Sequence, residues 1–420
     1  MSKSDRADAL DRGVLRFITA GSVDDGKSTL IGRLLYDTKA ILPDQLASIR
    51  RTSEKRGQAL DLSLLTDGLV AEREQGITID VAYRYFATAV RKFIIADAPG
   101  HEQYTRNMVT AASTADLAIL LVDARTGIVT QTRRHAMLAH LLGVPSIVLA
   151  VNKMDLVGFS KDVFDGIVDE FRAFARQSGI GNVASVPLSA LEGDMIVDRG
   201  GNLAWYRGPT LLQILETADV PDNLASSAFR FPVQYVARPT AAMPRGYMGR
   251  VESGSVAVGD AVSVLPSGHS ARVRAILSFD GTLQRAGLHE AITLVLDDAI
   301  DVSRGDMITL AAAPAQSMSA LDATVCWLGD EPLDTRRKYV VRHTTREVRG
   351  FVAGIDHRWD PSTQTKESAP ELLRTNDIGQ IRLKLAQPLC VDPYDDNRAT
   401  GSFILVDETS NNTVAAGMIQ

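Results

Sequence analysis

Up to about residue 220, apolar runs that read as buried strands (residues 14–20, 93–96, 117–122, 146–151 and 184–188) alternate with amphipathic stretches that read as helices (residues 30–35, 130–142 and 161–177). That order predicts an α/β domain built on a mostly parallel sheet with helices on both faces. Ligands of such sheets sit at the carboxyl ends of the strands. After Pro221 the texture changes to short alternating segments punctuated by Gly, Pro, Asp and Ser, as at residues 231–235, 261–265 and 292–296. A break falls at residues 312–316, and alternation resumes at 323–327, 381–385 and 403–406. Small all-β barrels suit this pattern. The expected organisation is an α/β domain over residues 1–222, a β-barrel over 223–315 and a second β-barrel over 316–420.

Composition narrows the class without changing the layout. At 420 residues the chain exceeds a single compact core, and 45% hydrophobic with 23% charged residues is ordinary folded composition. The formal net charge of -6 argues against a broad electrostatic grip on nucleic acid. Cys326 and Cys390 are the only cysteines and lack metal-ligand spacing, so core packing is their simplest role. The segment from Lys3 to Arg12 is charged and no apolar run reaches spanning length, so a cytoplasmic location is expected.

The chemistry concentrates at strand ends. Gly21-Ser22-Val23-Asp24-Asp25-Gly26-Lys27-Ser28 fits G-x-x-x-x-G-K-[ST] between a strand and a helix, with Thr29 following. Backbone N–H groups of such a loop cradle phosphate, Lys27 reaches the β- and γ-phosphates, and the Ser28 hydroxyl ligates Mg²⁺. Asp97-Ala-Pro-Gly100 follows the strand at 93–96, so Asp97 is expected to hold Mg²⁺ through water and the Gly100 N–H to touch the γ-phosphate. Asn152-Lys153-Met-Asp155 closes the strand at 146–151. An aspartate there accepts both the N1–H and the 2-amino group of guanine, whereas adenine would leave a carboxylate oxygen unpaired. Ser189-Ala190-Leu191 fits the loop whose backbone meets the guanine oxygen. In Arg73-Glu-Gln-Gly-Ile-Thr78-Ile, Thr78 can close on Mg²⁺ and the γ-phosphate and be released with it. His101, next to Gly100, is the candidate catalytic residue that orients the attacking water. GTP with Mg²⁺ is the expected ligand.

These motifs resemble the GTPases of the translation elongation factor superfamily, and the resemblance extends to Gly249-Arg-Val-Glu-Ser-Gly254 in the first barrel. It implies an apolar gate of Val23 and Ile77 beside His101, while Ser303-Arg-Gly-Asp306 reads as a barrel turn. Within the superfamily, the phosphate loop through Leu35, the segment at 81–86 and the run from Asp392 to Leu405 are most similar to the GTPase subunits of bacterial sulfate adenylyltransferase. Elongation factors usually carry histidine where this chain has Ser22 and Asp25. The Asp392 to Leu405 run resembles a closing barrel hairpin of those subunits; by itself it also reads as a strand pair capped by an Asp-Pro turn.

The resemblance implies a heterodimer in which GTP hydrolysis drives adenylyl transfer from ATP to sulfate in a small catalytic partner subunit, for sulfate assimilation and cysteine biosynthesis. No second P-loop follows residue 220, which argues against a fused kinase. One alternative is a translation factor delivering charged tRNA; the phosphate-loop variant, the acidic balance and the closing motif count against it. A nucleotide-gated scaffold without coupled chemistry would leave Thr78 and His101 idle.

Overall fold

The computed structural model describes residues 13–55, 60–65, 81–100, 105–220, 223–238, 245–298, 300–360 and 365–420. The chain forms two compact units that divide at Val220 and Pro221. The first contains, in order, β1 (Val14–Ala20), α1 (Lys27–Asp37), α2 (Pro43–Lys55), β2 (Ala82–Ala87), β3 (Lys92–Asp97), α3 (Thr105–Ala112), β4 (Leu117–Asp123), α4 (Thr130–Leu141), β5 (Ile147–Asn152), α5 (Lys161–Gln177), β6 (Val183–Pro187) and α6 (Leu211–Thr217).

Its sheet runs β2-β3-β1-β4-β5-β6, parallel from β3 to β6, with β2 antiparallel at one edge. All seven residues of β4 are buried, as befits a strand paired on both sides and covered on both faces. Strand β2 differs: Tyr83 and Tyr85 are exposed, while Phe86 stacks on Phe93 at 4.5 Å between ring centroids. Alternation of this kind belongs to an edge strand, which explains why this strand reads less clearly in the sequence than its apolar neighbours. Helix α5 starts where the Ser160 hydroxyl accepts the Val163 N–H, and it buries Phe164, Ile167, Val168, Phe171 and Phe174 as one stripe.

The second unit holds two closed barrels of antiparallel strands. The first ring runs Ala261–Leu265, Met307–Leu310, Arg230–Ala237, Gly246–Arg250, Ala291–Leu296 and His269–Ser278, which pairs back to Ala261–Leu265. The second runs Tyr339–His343, Ser402–Asp407, Thr413–Ile419, Gln316–Trp327, Ile378–Val391 and Arg346–Asp360, and closes in the same way. Closure removes free edges from both rings. Alternate residues such as Val262 and Val264, or Leu321, Ala323 and Val325, fill the interiors.

The run from Asp392 to Leu405 is not the hairpin expected. Strand Ile378–Val391 pairs with Gln316–Trp327 and Arg346–Asp360, whereas Ser402–Asp407 pairs with Tyr339–His343 and Thr413–Ile419. The loop between them ties the barrels together instead. Arg230 of the first barrel grips both carboxylate oxygens of Asp392, with Nε to Oδ2 and Nη2 to Oδ1 both at 2.8 Å. The Thr400 hydroxyl donates to Asp392 Oδ2 at 2.6 Å, and Asn397 Nδ2 donates to Ser253 Oγ at 3.0 Å. Ser253 belongs to the segment from Gly249 to Gly254, so two of the motifs singled out in the sequence meet here. Gly401 has no space for a side chain, because a Cβ would lie 2.4 Å from Tyr394 Cα. The Ser303 to Asp306 segment is a turn, with the Ser303 N–H on Asp306 Oδ2 at 2.9 Å and Arg346 on Asp306 Oδ1 at 3.1 Å.

Candidate functional site

The carboxyl ends of β1, β3, β4, β5 and β6 build the candidate site. After Ala20 the chain turns through Gly21 to Gly26, with Asp24 at φ 66° and Gly26 at φ 90° in the left-handed region that glycine adopts freely. The Leu30 N–H on the Gly26 carbonyl, at 2.9 Å, then starts α1, with Ser28 and Thr29 half-buried in its first turn. A side chain at Gly26 would collide with Asn152 Nδ2 at 2.5 Å, so the loop lies directly against the end of β5. Ser22 is half-buried, and Val23 stands exposed at the rim.

Lys27 is buried, and its ammonium donates to the carbonyls of Gly21 at 2.9 Å and Ser22 at 2.8 Å. Burial pushes its pKa down, against the nearby carboxylates of Asp97, Asp25 and Asp24. Asp97 ends β3 beside Thr19 of β1, whose hydroxyl donates to Asp97 Oδ1 at 3.1 Å. Gly100 presses against the same loop: a Cβ there would lie 2.4 Å from Lys27 Nζ and 2.6 Å from the Gly21 carbonyl oxygen. On α4, Gln131 Nε2 points to the Gly100 carbonyl at 3.5 Å and sits 2.8 Å from His135 Nε2. Burial pushes His135 down to about 3, and its Nδ1 has no hydrogen-bond partner among the described residues.

Asn152 joins the loops. Its Nδ2 donates to the Asp25 carbonyl at 2.8 Å and its Oδ1 accepts the Ala190 N–H at 2.9 Å. Asp155 is half-buried, and its Oδ1 accepts the Ser189 hydroxyl at 2.6 Å. A carboxylate has about four acceptor positions, so that bond leaves capacity for a base. The Ala190 amide is engaged by Asn152, so a guanine oxygen arriving there would share it or draw on Leu191. Thr78 and His101, with Ile77, lie outside the described residues.

Two contributors were not read from the sequence. Asp123, at the end of β4, accepts Lys153 Nζ at 2.9 Å and the Arg125 side chain, with Nη2 at 2.6 Å. Burial works against its charge, yet the bonds from Arg125 and Lys153 hold its carboxyl far below the usual range. Its position at a strand end was the available signal. Arg33 of α1 holds the Ala190 carbonyl at 3.3 Å and also bonds the Leu191 carbonyl, with no local sequence signal at all. Among the described residues, no group of three His, Cys, Asp or Glu side chains is arranged to hold a metal, and no helix is long and apolar enough to cross a membrane.

A phosphate-type loop, a buried strand-end carboxylate and an Asn-Lys-Met-Asp turn on one sheet define a P-loop nucleotide-binding fold. Residues 12–225 match the family described as the elongation factor Tu GTP binding domain, and residues 320–420 match the GTP-eEF1A C-terminal domain-like family. Sulfate adenylyltransferase subunit 1 of Chromobacterium violaceum is 53% identical over 414 residues, covering 97% of this chain and 86% of that protein. Its counterpart in Aliarcobacter butzleri is 50% identical, covering 98% and 88%. The bifunctional enzyme CysN/CysC of Mycobacterium tuberculosis is 53% identical, covering 97% of this chain and 67% of that one. The chain belongs to the sulfate adenylyltransferase subunit 1 family, within the GTPases that carry the elongation factor Tu type of GTP-binding domain.

Proposed function

We propose that this chain is the GTP-hydrolysing subunit of a two-subunit sulfate adenylyltransferase, driving adenylyl transfer from ATP to sulfate in a small partner subunit. The observation that carries the reading is the bonded path from Lys27 through Ser22, Asp25, Asn152 and the Ser189-Ala190 turn to Asp155, in a chain so similar to proteins of that name. In this reading Lys27 exchanges the Gly21 and Ser22 carbonyls for the β- and γ-phosphates, and the loop amides take the remaining phosphate oxygens. Asp155 accepts the N1–H and 2-amino group of guanine, with the Ser189 hydroxyl fixing the carboxylate. Lys153, held by Asp123, lies along the base.

The residues suit Mg²⁺, which binds through one or two carboxylates plus substrate phosphates and keeps several waters. Ser28 and the buried carboxylate of Asp97 would hold it, Asp97 through water and Thr78 joining with the γ-phosphate present. Bound there, the ion would offset charge on the bridging and γ oxygens. His101 orients the water that attacks the γ-phosphate, and release of Thr78 converts the loss of that phosphate into movement.

Sulfate activation is uphill because the phosphosulfate anhydride is high in energy, so a second nucleotide supplies the drive. The test is reconstitution with the small subunit, following pyrophosphate release and GTP turnover with ATP and sulfate present. GTP-dependent pyrophosphate release, with GTP turnover accelerated by the partner, is expected. Equal GTP turnover with and without the partner would remove the assignment, and recovery of tRNA on co-purification would favour a translation role.

A further inference from the structure

The proposed reading leaves Arg33 without a role, although through it α1 grips the turn that follows β6. Its Nε donates to the Ala190 carbonyl at 3.3 Å and its Nη2 to the Leu191 carbonyl, while Nη1 lies 3.9 Å from Asp37 one turn further along the helix. The side chain is 20% exposed, so these bonds are made largely out of water. The turn it holds is tight. Gly193, at φ 91°, brings its N–H onto the Ser189 carbonyl at 2.8 Å, and the Ser189 N–H bonds the Asp194 carbonyl at 3.2 Å. Two more amides have their own acceptors: Ala190 N–H meets Asn152 Oδ1 at 2.9 Å, and Glu192 N–H meets Ser189 Oγ at 3.2 Å. Among the described residues, the Leu191 N–H is the amide of this turn without such an acceptor. A trans peptide is planar, with its C=O and the following N–H on opposite sides of the chain. Holding the Ala190 carbonyl against α1 therefore turns the Leu191 N–H away from that helix.

We propose that Arg33 is a positioning residue for base recognition: by fixing the Ala190 and Leu191 carbonyls it aims the Leu191 N–H at the oxygen on carbon 6 of guanine, and so sharpens discrimination against purines without that oxygen. A donor fixed before the base arrives has little freedom left to lose, whereas a turn able to rotate that peptide must be ordered at each binding event. The same arrangement counts against adenine, whose 6-amino group would meet an N–H where it needs an acceptor. Asp155, bonded to Ser189 of the same turn, then reads the other part of the guanine edge.

The inference deepens the guanine-nucleotide reading and rests on it. Its test is equilibrium competition against a fluorescent GDP analogue on the full chain, with GDP and the diphosphate of 2-aminopurine riboside as competitors. The second competitor has no oxygen on carbon 6. Arg33→Met keeps an unbranched stem and a comparable helix preference but deletes both donors. GDP is expected to bind that variant roughly 5- to 10-fold more weakly, as for one hydrogen bond, while the 2-aminopurine nucleotide changes less than about twofold. Arg33→Gln, too short to span both carbonyls, is expected to act in the same sense and keeps the test available if Met disturbs the fold. An unchanged ratio of the two affinities in a folded Met or Gln variant, whether both hold or both fall together, would overturn the inference alone. A wild-type chain that binds the two competitors equally, or neither of them, would overturn the guanine reading and this inference together.

Discussion

Replacing Asp392 by alanine tests how much the Arg230–Asp392 ion pair contributes to holding the two barrels together. Arg230 is 7% exposed and Asp392 15%, and two of their bonds are charge-assisted contacts at 2.8 Å. Burial opposes the Asp392 charge, but the bonds from Arg230 and Thr400 hold its carboxyl below the usual range. Among the described residues, Asp392→Ala leaves the Arg230 guanidinium with the carbonyls of Phe229 and Ala313, and strips Thr400 of its acceptor. Removing one partner of a buried pair costs about 3–5 kcal/mol, whereas replacing both with apolar groups of similar size is often neutral. Urea unfolding should therefore show a loss of that size for Asp392→Ala, with most of it recovered in Arg230→Met combined with Asp392→Leu. If the pair also couples the barrels, the single variant should unfold in two steps. A loss below about 1 kcal/mol, or a double variant as damaged as the single one, would refute the reasoning.

Two other expectations concern the first unit. Asp155→Asn keeps an oxygen for the Ser189 hydroxyl but turns an amino group towards guanine, so GTP binding should weaken roughly 10- to 150-fold and preference move towards xanthine nucleotides; unchanged GTP selectivity in competition binding would show that the base is read elsewhere. His135 is held neutral by burial, with a folded pKa of about 3 against about 6.5 unfolded. Because the unfolded chain takes up a proton that the folded one refuses, its stabilisation is complete above pH 6.5 and lost as pH falls towards 3. The stability difference between the wild type and His135→Gln should fall by about 1.4 kcal/mol per pH unit below that point, and a difference that stays flat to pH 4 would contradict it.

The α/β layout and the barrels were legible because buried parallel strands, amphipathic helices and half-buried alternating strands have different periods. The strand-end placement of the motifs was legible because each follows an apolar run that reads as a buried strand. What escaped is non-local. Arg33 reaches Leu191 across 158 positions and Arg230 reaches Asp392 across 162, and no local pattern encodes such pairs. The antiparallel edge β2 escaped because alternation marks a strand without giving its direction, and the loop at Asp392 looked like a hairpin because pairing partners are a property of the closed ring.

Asn152 gives the first unit a property that neither of its turns has alone. A single amide joins the loop after β1 to the loop after β6. In the proposed reading these carry the charged tail and the flat ring of one ligand, so a joined nucleotide should gain more than a free nucleoside and a bare polyphosphate do separately.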